Sequence, residues 1–166
     1  MNWFHYLRIF ALILAGQVTL MSPALAQDGM HLQVLANASQ KTSTAIDLRE
    51  LDQLEQVSFS TTTIWTDGEI AFSGVPLKAL LEHVGAEGSS IELIALNDYA
   101  VSMPISELED EYPIVATRMD GKTMSVRDKG PYWVVFPYDA DPKYRTETMF
   151  SRSIWQLNRL RVIESE

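Results

Sequence analysis

The sequence predicts an α+β domain, a β-rich mixed-sheet unit with short helices. Three features of the chain carry that prediction. Strand-like segments, alternating or wholly apolar, recur along it between turn residues such as Thr66-Asp67-Gly68 and Asp120-Gly121. Clear helical periodicity is confined to Leu77, Leu80, Leu81 and Val84, with a shorter echo at Leu48, Leu51 and Leu54. No internal repeat, low-complexity stretch or linker interrupts residues 30–164, so one domain is the economical division.

The elements follow in order. Met30 to Ala36 alternates apolar and polar residues and reads as a first strand. Asp47 to Leu54 reads as a short helix, with Asp47 placed to cap it. Gln56 to Trp65 is rich in Thr, Val and Phe, a strand composition. Glu69 to Phe72 returns from the Thr66-Asp67-Gly68 turn as a hairpin arm. Gly74-Val75-Pro76 opens the clearest helix, because proline suits a first helical turn, and Gly85 ends it. Ile91 to Leu96 and Ala100 to Ile105 are strands joined by a short turn, and Ser106 with Glu109 has the spacing of a capping box. Pro113 to Met119 and Lys122 to Val126 form a hairpin on Asp120-Gly121. Tyr132 to Phe136 is wholly apolar and is expected at the centre of a sheet. Ile154 to Ile163 closes the chain as a strand, with Trp155 expected in the core.

The first 26 residues stand apart. Arg8 precedes an apolar stretch from Ile9 to Leu20, and Ala24-Leu25-Ala26 follows. This is the three-part layout of a secretory signal, with cleavage expected before Gln27 and a single domain over residues 27–166. The apolar stretch is shorter than the ~20 residues of a spanning helix, so no stable membrane span is expected after cleavage. The expected location is therefore periplasmic or secreted.

Composition narrows the function. The formal charge is −9, and the signal segment removes only Arg8 from the basic residues. An acidic surface repels phosphate backbones, so nucleic acid is not an expected partner. The chain has no cysteine, which excludes disulfides, thiolate zinc sites and iron–sulfur clusters. Of its histidines, His5 lies in the signal, and His31 and His83 have no metal-ligand spacing. No Ser/His/Asp set and no phosphate-cradling Gly loop is present.

Several features occur in a fixed order. A Thr-rich strand ends in Trp65. Gly74-Val75-Pro76-Leu77 leads into a Leu-rich helix, and the turn Asn97-Asp98-Tyr99 follows a strand. Gly130-Pro131 leads into Val134-Val135-Phe136-Pro137, and a Trp-containing strand closes the chain. This order resembles the molybdopterin-binding domain of the sulfite oxidase family over roughly residues 30–164, the span of one domain. The resemblance implies a mixed β-rich fold with a pterin cleft, a cysteine thiolate on molybdenum, and basic and polar side chains around the pterin and an anionic substrate. The family's cysteine would fall near the end of the Val57 to Thr63 strand, where this chain has Ser60-Thr61-Thr62-Thr63. A threonine hydroxyl has a far higher pKa than a thiol and is a harder, poorer ligand for this metal.

The candidate cleft residues are Thr61, Thr62, Asn97, Asp98, Tyr99, Arg118 and Lys129. Thr61 and Thr62 can donate hydrogen bonds to an oxyanion, or simply express strand propensity. Asn97, Asp98 and Tyr99 are either a plain turn or, as the resemblance implies, a turn beside the active site. Arg118 needs an anionic partner, which is a bound oxyanion or one of the chain's many carboxylates. Lys129, with Arg127, is a rim cation for a phosphate or carboxylate, or part of a solvated loop. Residues Tyr138 to Arg145 are a candidate lid or partner-contact loop. The functional expectation is a non-catalytic binding or accessory module, with no cofactor and with a small anionic ligand or a membrane-bound sensor or redox protein as partner. The alternative is a periplasmic molybdopterin-dependent oxidoreductase with an altered metal ligand, in which molybdopterin is retained as the resemblance implies.

Overall fold

A computed structural model of the chain describes residues 31–36 and 43–164. The expected signal segment, residues 1–26, lies outside the described residues. The described chain forms two sheets around one contiguous apolar core.

The first sheet contains β1 (Leu32–Leu35), β2 (Thr44–Ile46), β5 (Ser90–Ala95), β6 (Ala100–Pro104) and β10 (Leu157–Ile163), in the order β2-β1-β10-β5-β6. Its one parallel pair is β1 with β10, and the other pairs are antiparallel. Alternation in β1 buries Leu32 and Val34 completely; in β10 the same period buries Leu160 and Val162, and Leu157 is buried on the other side of a register shift. The second sheet contains β3 (Val57–Thr62), β4 (Glu69–Pro76), β7 (Ile114–Met119), β8 (Lys122–Thr123) and β9 (Trp133–Val135). Here β3 pairs β4, β4 pairs β7, and both β8 and β9 pair β7. The helices are α1 (Leu48–Leu51), α2 (Leu77–His83) and α3 (Glu147–Arg152).

Local chemistry accounts for most element ends. The Asp47 carboxylate accepts from the Glu50 backbone N–H at 2.8 Å and starts α1. Thr146 does the same for α3, accepting from the Met149 N–H. Asp120 and Gly121 have φ of 50° and 73°, the paired positive values of a type I′ hairpin turn. Within β4 the register shifts between Ser73 and Gly74. A Cβ on Gly74 would stand 2.1 Å from the Val115 carbonyl oxygen, so only glycine lets β4 lie this close to β7.

Four expectations need correction. Pro76 does not open the helix. It is the last residue of β4, in extended conformation, and α2 begins at Leu77, whose N–H donates to the Pro113 carbonyl. Ser106 and Glu109 form no capping box. Ile105–Glu107 is a single 3-10 turn without a side-chain cap, and the Glu109 carboxylate instead accepts from Lys143 and Tyr144. The apolar segment 132–136 is buried but not central. β9 pairs only β7, while the Val134 N–H reaches the Ile154 carbonyl and Tyr132 bridges Leu157 in the first sheet. It is apolar because it stitches the two sheets together. Trp155 is 37% exposed rather than core, because the chain turns outward at Gln156, where φ is 54°.

Candidate functional site

The end of β3 places Thr61 and Thr62 side by side. Thr61 is fully buried and Thr62 exposed, as the strand period requires. Both are committed to Asp139. The Asp139 N–H donates to Thr61 Oγ1 at 3.1 Å, and the Thr61 hydroxyl returns a bond to Asp139 Oδ2 at 3.3 Å. The Thr62 N–H donates to the same oxygen at 2.5 Å, and the Thr62 hydroxyl spans both carboxylate oxygens at 2.9 and 3.0 Å. These donors, the Thr62 backbone N–H first, hold the Asp139 carboxyl below its ordinary pKa.

Asp139 reaches this position because its neighbours are fixed. Tyr138 is buried, and its hydroxyl donates to Ser153 Oγ at 2.5 Å, which in turn donates to the Met149 carbonyl. Burial pushes the Tyr138 phenol up to about 12. Further along, Asp141 caps the turn Pro142–Tyr144, and Tyr144 packs on Phe136 and Tyr112 with its hydroxyl on Glu109. The segment expected to be a lid is thus a stitched loop whose two tyrosines point inward.

The other candidates separate. Arg118 makes a two-pronged bond to Asp52, Nη1 to Oδ1 at 2.6 Å and Nη2 to Oδ2 at 2.7 Å. It is the structural ion pair of its two readings and lines no cavity described here. Asp98 has φ of 63° and pairs with Arg159 at 3.0 Å, so it too serves the turn. Asn97 Oδ1 accepts from the Tyr99 N–H at 3.1 Å. That bond presents Asn97 and Tyr99 to a cavity of about 370 Å³. Lys129, with φ of 69°, holds its Nζ 5.0 Å from the Trp155 ring centroid and 5.7 Å from that of Trp133.

The cavity lies between the β5–β6 turn, α3 and the start of β10. Its walls are Trp65, Ala95, Asn97, Tyr99, Phe150, Ser151, Ser153, Ile154, Trp155 and Gln156. Trp65 is its hub, with ring centroids 5.6 Å from Trp155 and 5.8 Å from Phe150, both edge-to-face. Sequence reasoning missed Trp65, Phe150 and Gln156 as site residues and placed Trp155 in the core. A signal existed for Trp65, an aromatic residue just past the Thr-rich strand beside a turn. Nothing in the local pattern marked Phe150 or Gln156. Thr61 and Thr62 lie a few residues upstream of Trp65 but line no part of the cavity.

The fold is a β-rich domain of two sheets with an aromatic-walled cavity at one end. The chain belongs to the oxidoreductase molybdopterin-binding domain family, whose model matches residues 22–140. It is similar in fold to the sulfane dehydrogenase SoxCD from Paracoccus pantotrophus, at a TM-score of 0.62 and 16% identity over 85% of this chain. The chain spans 40% of the length of that protein. Among curated proteins no relative matches.

The side chains present do not fit the metal that the resemblance implies. The chain has no thiol. Near the strand end where the resemblance places the thiolate, the Thr61 and Thr62 hydroxyls are hydrogen-bonded to Asp139. Among the described residues no group of three or more His, Asp or Glu is placed to hold a metal ion. Among them also, no helix is long and apolar enough to cross a membrane.

Proposed function

We propose that this chain is an exported binding or accessory module built on the molybdopterin-binding fold, and not a molybdenum oxidoreductase. The observation that carries the reading is the closure of the β3 end by Asp139 in a chain without cysteine. The resemblance implies a cysteine thiolate as the molybdenum ligand there, and a threonine hydroxyl is a harder, far less acidic group. The strand end named by the resemblance carries threonines, whose hydroxyls donate to Asp139. The aromatic cleft is the surface left for recognition, with a small anionic ligand or a membrane-bound sensor or redox protein as its partner. Export is supported by the Arg8, Ile9 to Leu20 and Ala24-Leu25-Ala26 layout, and it places the working chain in the periplasm or outside the cell. Membership of the family favours a second reading, a molybdopterin-dependent oxidoreductase with an altered ligand.

The test compares the wild type with a Thr62→Cys, Asp139→Ser double variant, both exported in a host that makes molybdopterin. The reading expects no co-purifying molybdenum in the wild type. If the double variant gains molybdenum while the wild type carries none, the cleft has kept the family's shape and lost only the ligand. Molybdenum in the wild type overturns the proposal in favour of the oxidoreductase.

A further inference from the structure

We infer that the open edge of β3 takes up an extended, basic-flanked segment of a partner protein, which adds a strand to the second sheet. The inference rests on the reading of the chain as a binding or accessory module. It names a second recognition surface and the chemistry of the partner that fits it.

The hydrogen bonds around β3 fix which way its backbone faces. Ala71 of β4 stands opposite Ser60. The Ala71 N–H donates to Asp120 Oδ1 at 3.0 Å, and its carbonyl accepts from the Asp120 N–H at 2.7 Å. Both groups therefore point towards β7 and away from β3. At Thr62 the N–H likewise leaves β4 and donates to Asp139. Antiparallel partners alternate between bonded and non-bonded pairs. Ser60 with Ala71 and Thr62 with Glu69 are thus non-bonded pairs, and Ser58 with Ser73 is the next. The N–H and C=O groups of Ser58 and Ser60 face outward from the sheet. Among the described residues nothing bonds to them there, and both serines are exposed.

Open sheet edges are ordinarily blunted by shortness, proline or charge. The other sheet ends here follow that rule. β2 has three residues, β8 has two, and β6 ends on Pro104. β3 runs for six residues, Val57–Thr62, with no charge and no proline. Asp139 closes only its last outward N–H. An edge of this kind is the template for strand addition, in which main-chain bonds hold the incoming segment.

Electrostatics selects the occupant. The chain carries a formal charge of −9. Glu55 lies just before β3, and Asp67 and Glu69 lie at its far end, with Glu69 opposite Thr62. All three are exposed, and none forms an ion pair among the described residues. Asp139, at the same end, is partly offset by Arg145. Two copies pairing antiparallel through β3 would bring each Glu55 to the acidic Thr62 end of the other. Parallel pairing would set Glu55 beside its counterpart. Either arrangement places like charges together, which disfavours a second copy. A segment with an uncharged β-forming centre and Lys or Arg on both flanks meets the opposite sign at each end.

The test titrates the exported protein with a blocked peptide, Lys-Arg-Thr-Val-Thr-Val-Arg-Lys, and with its charge-reversed match, in which Glu replaces each Lys and Arg. Hydrogen exchange of single amides, followed by NMR, is the readout. The basic peptide should bind saturably and slow exchange at Ser58 and Ser60, leaving Phe59, which already pairs with β4, unchanged. The acidic peptide should bind at least roughly tenfold more weakly, and added salt should narrow the gap. Ser60→Pro removes an outward N–H that makes no bond within the sheet, a position where proline is tolerated. It should cost at least roughly tenfold in binding, by loss of main-chain pairing, whereas Ser60→Ala keeps the N–H and should bind as the wild type. If the proline variant fails to fold, the exchange pattern of the wild type decides. Unchanged exchange at Ser58 and Ser60 with excess basic peptide overturns the inference, as does equal binding of the two peptides. Wild-type affinity in a folded Ser60→Pro variant overturns it as well. Concentration-dependent slowing of the same amides without peptide, with a dimer in sedimentation, overturns it in favour of a second copy. None of these readouts depends on molybdenum content, so the binding-module reading stands or falls separately.

Discussion

Replacing Thr61 by valine keeps the shape of a fully buried side chain and removes its hydroxyl. The Asp139 N–H then loses its acceptor, and Asp139 Oδ2 loses one donor. A lost hydrogen bond with a stranded donor costs about 1–2 kcal/mol, which urea denaturation should show as a lower midpoint at unchanged slope. Asp139 itself sets a pH dependence. Its folded pKa lies below the ordinary carboxylate value of about 3.9, so its contribution is present above that value and is lost as pH falls through the folded one. Stability of Asp139→Asn should therefore fall less steeply than wild type on acidification below about pH 4. A steeper acid limb in that variant would contradict the assignment. At the other extreme, burial raises Tyr132 and Tyr138 from 10.0 to about 12. Both remain protonated in the folded state where the unfolded chain has begun to ionise. Their contribution is whole below pH 10 and is lost as pH rises towards 12. Ultraviolet titration of the native protein should show these two phenols ionising well above pH 10.

Among the elements, the β4–β7 pair is a tight constraint. Alanine at Gly74 would drive its Cβ into the Val115 carbonyl, backbone against backbone, where no side chain can rotate away. Overpacking of this kind costs about 1–3 kcal/mol or more, and Gly74→Ala should lie at the upper end. Its thermal midpoint is the direct check. The loop from Tyr138 to Tyr144 behaves as an element as well. It is tied to β3 through Asp139, to α3 through Tyr138 and Ser153, and to the 105–112 segment through Tyr144 and Glu109. Amide exchange in this loop should be slow at Tyr144, whose N–H donates to the Asp141 carbonyl. Fast exchange there would revive the lid that its polar composition suggests.

Across the whole molecule, what could be read from the sequence divides along physical lines. Strand periodicity, the Asp47 cap and the Asp120-Gly121 turn are local signals, and each produced its element. The resemblance carried the fold, since no local rule predicts that β10 lies between β1 and β5. The site was legible in part. Asn97 and Tyr99 belong to the cleft because their turn projects from a sheet edge, and Lys129 stands against its wall. Thr61 and Thr62 had two readings, oxyanion donors or plain strand residues; their hydroxyls meet Asp139, a partner 78 and 77 residues distant that no spacing rule could pair with them. For Arg118 the many carboxylates already pointed to an ion pair, and the structure supplies its partner, Asp52. Trp155 shows the remaining limit: alternation placed it inside, and the positive φ of Gln156 turns it out. The chain combines membership of the family with a strand end that carries no thiol.

The most direct test of that claim is native mass spectrometry with molybdenum analysis, on protein isolated from its own exported location. The account predicts a mass equal to the polypeptide from Gln27 onward, without a molybdopterin adduct, and molybdenum far below one atom per chain. A pterin adduct with near-stoichiometric molybdenum would contradict it.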